Sequence, residues 1–501
     1  MGRVDLVAAP IRYPRTPLLV LLFVATLPAV GLYFLFQWAD EEADRYEADR
    51  LSSVETAPDE SETDAAVVIT PALPTALFDY RRTPESVSDV ANASQLGRDL
   101  APVYSFVNAD SCAAVSVDGV AAAAINPDVP VIPASTQKLV TAAVALEVLG
   151  ADHRFTTTVA SPSPVDGVVE GDVYLIGGGD PLLTSDDYPI EDDRRPAFNT
   201  TSLDRLADAF VANGITRITG TVIGDGTRYD DEWFVDSWAE GVAGNDAGPY
   251  DALLVNDARV LGRGFTETDP NEAAAREFVR LLGNRGIRVN NGWGSGIADA
   301  TVPVIGTVES ADLVGVLTEM LETSDNNTAE LLLKEIGLVG LADGSRAGGL
   351  NVVDGKLREW GVPMDGIRLV DGSGLSANAR TTCAAMLTVL QREAGGPIEG
   401  ALPVAAVNGT LADEFTESPM SGRLRAKTGT LGNPPFDQEP LAAKALAGYV
   451  STAEPETIEF VLILNAPDIT EDGKYVALWT ALGERLDTYP SGPSADDLGP
   501  R

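Results

Sequence analysis

Between Ser135 and Leu149 the chain is almost wholly apolar, and Gly150 closes the run. A helix of that composition has no face to offer water, so other elements must surround it on most sides. This alone demands a layered fold with a substantial core. Ser135 and Lys138 stand out in it, three positions apart and therefore on one face. An ammonium group in such a setting calls for a chemical role, because burying it is costly.

The rest of the chain supplies the layers. Ala113 to Val117, the turn pair Asp118-Gly119 and Val120 to Ile125 predict a hairpin. Gly422 to Leu431, Ala442 to Ser451 and Thr457 to Asn465 predict three strands of one antiparallel sheet, followed by a helix over Lys474 to Leu486. From about Arg154 to Val304 the texture changes to short β-rich runs and Gly/Asp turns, with helices near Ser202 to Asn213 and Asn271 to Asn284. That stretch predicts an inserted α+β region. Helices at Ala311 to Thr323 and Thr328 to Ile336, the second with Asn327 as N-cap and Glu330 at its third position, leave Ser324 at an interhelical corner.

The segment from Pro17 to Trp38 is apolar and long enough to span a bilayer. Arg3, Arg12 and Arg15 precede it and Asp40, Glu41 and Glu42 follow, which predicts a cytoplasmic N-terminus and an exported remainder. An uncleaved anchor is the first expectation and a cleaved signal peptide, giving a secreted protein, the second. The expected organisation is a cytoplasmic tail (1–16), an anchor (17–38), an acidic flexible linker (39–95), a first catalytic segment (96–153), an inserted domain (154–305), a second catalytic segment (306–489) and a loose tail (490–501). The 75 acidic against 35 basic residues give a formal net charge of −40, which excludes nucleic acid as a partner. The two cysteines, Cys112 and Cys383, allow one disulfide in an exported protein.

Three motifs carry chemistry. A serine hydroxyl needs a base within reach and donors for the oxyanion formed on attack, and Ser135-Thr136-Gln137-Lys138 offers a nucleophile and a base at a helix N-terminus. Lys138 must lose its proton readily for this, through burial or a nearby cation such as Lys427. Ser324-Asp325-Asn326 offers a proton relay in Ser324 and a donor to a substrate amide in Asn326. The same spacing recurs at Ser376-Ala377-Asn378, inside the Gly-rich turn Asp371 to Ser376. In Lys427-Thr428-Gly429, strand periodicity puts Arg423, Arg425 and Lys427 on one face, suited to a substrate carboxylate. Gly429 lets a substrate backbone approach, and the N–H of Thr430 joins that of Ser135 as an oxyanion hole. The single histidine, His153, excludes a multi-histidine zinc site and disfavours a Ser-His-Asp enzyme, so a structural role is expected for it and neither metal nor cofactor is expected. Gly177 to Pro181 lacks a phosphate-loop pattern and predicts a turn.

In this order the motifs resemble those of the D-alanyl-D-alanine carboxypeptidase/endopeptidase family, the class C low-molecular-mass penicillin-binding proteins. The resemblance covers roughly Ala101 to Leu486 and includes Ile132 to Leu139, Gly177 to Pro181, Asp371 to Ser376 and Asn408-Gly409-Thr410-Leu411. It implies an α+β fold, a penicillin-binding transpeptidase/β-lactamase-like domain split by a large insertion, and Ser324 does lie 189 residues beyond Ser135. It also implies a serine D,D-peptidase of peptidoglycan stem peptides, acting through an acyl-enzyme on Ser135 and acylated by β-lactam antibiotics. Lys427 and Thr428 would then hold the terminal carboxylate. A β-lactamase and a non-catalytic wall-binding protein on the same fold are the alternatives. Steady penicillin turnover would mark the first, and failure to form an acyl adduct the second.

Overall fold

The computed structural model describes residues 83–188, 197–239, 241–263, 266–432, 441–452, 456–471 and 473–498. The expected tail and anchor at 1–38 and most of the acidic linker lie outside these residues. Among the described residues no helix is long and apolar enough to cross a membrane. The linker's expected end at residue 95 is corrected: Thr83–Tyr104 forms a helix, α1. Ala93, Leu96, Leu100 and Val103 recur at helical spacing and are buried, a stripe that the surrounding Ser and Asp residues disguise.

Two strands follow, β1 (Cys112–Val117) and β2 (Val120–Ile125), paired antiparallel through Asp118-Gly119, both at positive φ. A short 3-10 turn, Ala134–Thr136, leads into α2 (Gln137–Leu149). The helix proper therefore begins two residues after Ser135, because Thr136 turns its hydroxyl back onto the carbonyl of Pro133 at 2.7 Å. Nine residues of α2 are buried, Lys138 among them.

The chain then builds a second sheet. Its strands are β3 (Thr156–Ala160), β4 (Val173–Ile176), β5 (Val222–Asp225), β6 (Trp293–Ser295) and β7 (Val304–Glu309). They lie in the order β6-β5-β4-β3-β7, with helices α3 (Asp204–Ala212) and α4 (Pro270–Asn284) covering them. Since β7 pairs antiparallel with β3, the chain enters and leaves this region on adjacent strands. The glycines of Gly177 to Pro181 sit at its junction: a Cβ on Gly177 would lie 2.3 Å from the carbonyl oxygen of Ala252, and one on Gly178 2.0 Å from that of Thr156.

Helices α5 (Leu313–Thr323), α6 (Asn326–Leu341), α7 (Arg346–Glu359) and α8 (Cys383–Glu393) follow. Strands β8 (Leu424–Leu431), β9 (Ala442–Ser451) and β10 (Thr457–Ala466) precede the helix α9 (Lys474–Leu486). The first sheet has the antiparallel order β8-β9-β10-β1-β2. Its middle strands are apolar on both sides because both faces are covered. Ala445, Ala447, Tyr449, Val461 and Ile463 pack with α2, α5, α6 and α8, whereas Leu446, Val450, Phe460 and Leu462 pack with α1 and α9.

Cys112 and Cys383 are joined, with an S–S distance of 2.06 Å and their Cα atoms 5.9 Å apart, so β1 is tied to α8. The tail expected to be loose is held over part of its length: Ser88 donates to the carbonyl of Pro493 at 2.7 Å, and Gly492 N–H to Asn92 at 2.6 Å. Helix α6 grips the inserted region through Glu335, which accepts two bonds from Arg228 and one from the Tyr229 hydroxyl. His153 stands 3.6 Å from the same carboxylate and edge-on to Phe155, within this structural network.

Candidate active site

Ser135 sits in the 3-10 turn, half-buried, behind an Ala134 whose φ of 45° is left-handed. That conformation is costly for a residue with a side chain and persists only where the surroundings hold it. Two neighbours do. A Cβ on Gly374 would lie 2.0 Å from the carbonyl oxygen of Ala134, and one on Gly429 3.0 Å from that of Pro133. Gly374 leaves no room for a side chain and Gly429 leaves little, so the Asp371–Ser376 turn and strand β8 approach the serine from two sides.

Lys138 is fully buried, and its Nζ reaches three oxygens: Ser135 Oγ at 2.9 Å, Asn326 Oδ1 at 2.6 Å and the carbonyl of Ser373 at 3.0 Å. The Asn326 amide is oriented by its other end, since Nδ2 donates to the carbonyl of Asp246 at 2.8 Å. Asn326 Oδ1 and the Ser373 carbonyl can only accept. A neutral lysine has two N–H donors and one lone pair, so after serving these acceptors its lone pair faces the Ser135 hydroxyl. The ammonium form donates to all three oxygens, Ser135 Oγ included, and loss of its proton turns a lone pair towards the serine hydroxyl, making the neutral form the base.

Burial lowers the Lys138 pKa to about 8, against the pull of Asp325, Glu330 and Asp371, which favour the charged form. The expected help from a neighbouring cation is thus replaced by desolvation. Burial raises all three of these carboxyls above their usual range. Each has a structural bond. Glu330 accepts from the N–H groups of Gly372 and Ser373, and Asp371 from Gly374 N, Ser376 N and Trp238 Nε1.

The cap of α6 is corrected from Asn327 to Asp325, whose side chain accepts from Thr328 N. Asn327 instead binds the inserted region, accepting from Gly248 N at 2.7 Å and donating to Asp257 at 2.9 Å. Ser324 terminates α5 in a left-handed conformation, φ 68° and ψ 33°, and its hydroxyl makes no hydrogen bond among the described residues. Of the two similar motifs only the first reaches Lys138. Ser376 is buried and bonded to Ser237 Oγ at 2.8 Å.

On β8, Lys427 is fully buried and donates to the Thr428 carbonyl at 2.9 Å. Thr430 is exposed and accepts from Lys444 at 2.9 Å. The expected three-cation face is corrected for Arg423 alone, since Arg425 and Lys427 lie two apart on β8 and share one face. Arg423 precedes the strand and pairs with Asp487, and Arg425 reaches the carbonyl of Gly400. Two further groups at the site, the Ser373 carbonyl and Trp238, are not foreseen from the sequence. Their one signal there is the Gly-rich turn, which reads as a tight loop.

Residues 116–263 and 253–481 match the model of the D-Ala-D-Ala carboxypeptidase 3 (S13) family. The chain belongs to that family. It is 29% identical over 419 residues to a D-alanyl-D-alanine carboxypeptidase of Actinomadura sp., covering 67% of this chain and 73% of the relative. It is 30% identical over 351 residues to the carboxypeptidase DacB of Mycolicibacterium smegmatis, covering 67% and 72%. The fold matches penicillin binding protein 4 of Haemophilus influenzae with a TM-score of 0.62 at 21% identity, over 79% of this chain and 98% of that one. As an S13 enzyme the protein is a serine D,D-peptidase, and the penicillin-binding α+β fold is the one expected.

Proposed function

We propose that Ser135 is the nucleophile of this D,D-peptidase and that peptidoglycan stem peptides are its substrates. The observation that carries the assignment is the bonding of Lys138 Nζ, which leaves only the Ser135 hydroxyl as a proton source. Ser135 Oγ attacks the penultimate D-Ala carbonyl while Lys138 takes its proton. The oxyanion lies between the N–H groups of Ser135 and Thr430. As the C–N bond breaks, the proton passes from Lys138 through Ser324 to the leaving amine. Water then cleaves the ester, with Lys138 again receiving a proton. Asn326 positions Lys138, and its Nδ2 meets the substrate amide on release from Asp246. Lys427 and Thr428 hold the terminal carboxylate, and Gly429 admits the substrate backbone.

β-Lactams acylate Ser135 by the same attack, a reading supported by the family and by the complex of the Haemophilus influenzae protein with a β-lactam. The apolar 17–38 segment and the Cys112–Cys383 bond support a protein anchored outside the cytoplasm, N-terminus inside. Labelling with a fluorescent penicillin tests the nucleophile. Wild type is expected to form a covalent adduct and Ser135→Ala none; equal labelling of the two would remove Ser135 from the role.

A further inference from the structure

A cleft of about 710 Å³ opens in the inserted region, large enough for a peptide segment. Gly244, Asn245 and Pro249 line one side, Phe234 contributes an aromatic wall, and Arg259 and Arg263 line another. The backbone around the cleft is pinned to the catalytic corner. The Asp246 carbonyl holds Asn326, and Gly248 N and Asp257 hold Asn327. The lining residue Asn245 is thus the chain neighbour of Asp246, whose carbonyl holds the residue that positions the base.

The charge of the cleft is the second observation. Arg263 pairs with Glu267 at 2.5 Å. Arg259 is exposed and, among the described residues, its guanidinium makes neither a hydrogen bond nor an ion pair, in a chain with 75 acidic residues. The backbone leading into it is strained. Asn256, Asp257 and Ala258 all have left-handed φ values, 50°, 53° and 58°. Three such residues in a row persist only because they are over-determined, here by Ser185 on Asn256 and Asn327 on Asp257.

We propose that this cleft is a second substrate subsite, in which Arg259 binds a carboxylate of an acidic substrate peptide upstream of the scissile bond. The subsite rests on the proposed peptidase mechanism, in which Lys427 takes the terminal carboxylate and leaves the other carboxylates of the peptide unclaimed. A guanidinium matches a carboxylate with two parallel donors, so replacing the acid by an amide loses the match.

The test uses synthetic peptides ending in D-Ala-D-Ala, with Glu or Gln at each of the three upstream positions in turn. A short acetylated D-Ala-D-Ala substrate without any internal acid reports on the catalytic residues alone. For at least one position, wild-type kcat/KM is expected to favour Glu over Gln by about tenfold. Arg259→Gln is expected to abolish that preference while cleaving the short substrate at the wild-type rate. No preference at any position in wild type, or a preference that survives in Arg259→Gln, would overturn the subsite and leave the peptidase mechanism standing. Failure of wild type to cleave the short substrate would overturn both.

Discussion

Lys138 Nζ and Asn326 Oδ1 stand 2.6 Å apart, and the amide of Asn326 cannot turn round without losing Asp246. The asparagine thus presents a neutral acceptor to the lysine. Asn326→Asp would present an anion, hold the proton on Lys138 and remove the bond to Asp246. Its acylation rate at pH 7 is expected to fall about 100-fold, with partial recovery as the pH is raised. Stopped-flow acylation from pH 6 to 10 measures both effects, and a loss independent of pH would exclude the electrostatic account.

The wild-type profile follows from the same lysine. Its pKa is lowered to about 8, and only the unprotonated form can accept the serine proton. Activity is therefore lost as the pH falls. The acylation rate should drop about tenfold per unit below that pKa and level off above it. A rate constant flat between pH 6 and 9 would contradict this assignment of the base.

Gly374 bears on the geometry of Ser135, the proposed nucleophile. An added Cβ would meet the Ala134 carbonyl oxygen at 2.0 Å, and its φ of 81° is unfavourable to any other residue. Gly361 has a similar φ of 72° but open space around it. Both glycine-to-alanine changes should cost about 1 kcal/mol from the backbone alone. Only Gly374→Ala should also slow acylation, by at least about 100-fold. Thermal melts with penicillin labelling of the two variants separate strain from displacement of Ser135.

Glu319, on α5, is buried with Oε2 lacking a hydrogen-bond partner among the described residues, and burial pushes its carboxyl up to about 9. A carboxyl raised in the folded state favours folding fully below its unfolded pKa, and that advantage is lost as the pH rises through the folded value. Glu319→Gln removes the titration. The variant should be more stable than wild type near pH 8, by on the order of 2 kcal/mol, with the difference shrinking towards pH 4. Urea melts at the two pH values check the sign, and a gain larger at pH 4 would refute it.

Much of the fold and the site is legible in the sequence. Strand β9 and helix α9 fall at the expected bounds because their composition and period leave one solution. Ser135 and Lys138 stand out because a polar pair on an otherwise apolar helix makes little sense except as chemistry. What the sequence hides, it hides for physical reasons. Helix α1 buries a narrow stripe under a polar composition. Arg423 fits the strand period, but it precedes the strand and pairs with Asp487. The Ser373 carbonyl is backbone, and no side chain advertises it.

The bond between Cys112 and Cys383 turns the intervening chain, 271 positions from end to end, into a covalent ring. Ser135, Lys138, Ser324 and Asn326 all lie on the ring, and the strand bearing Lys427 hangs from it. A single peptide cut within the inserted region would open the circle without dividing the molecule. Ser135 and the strand bearing Lys427 would stay on one tether, so a nick and a separation are different events for this chain.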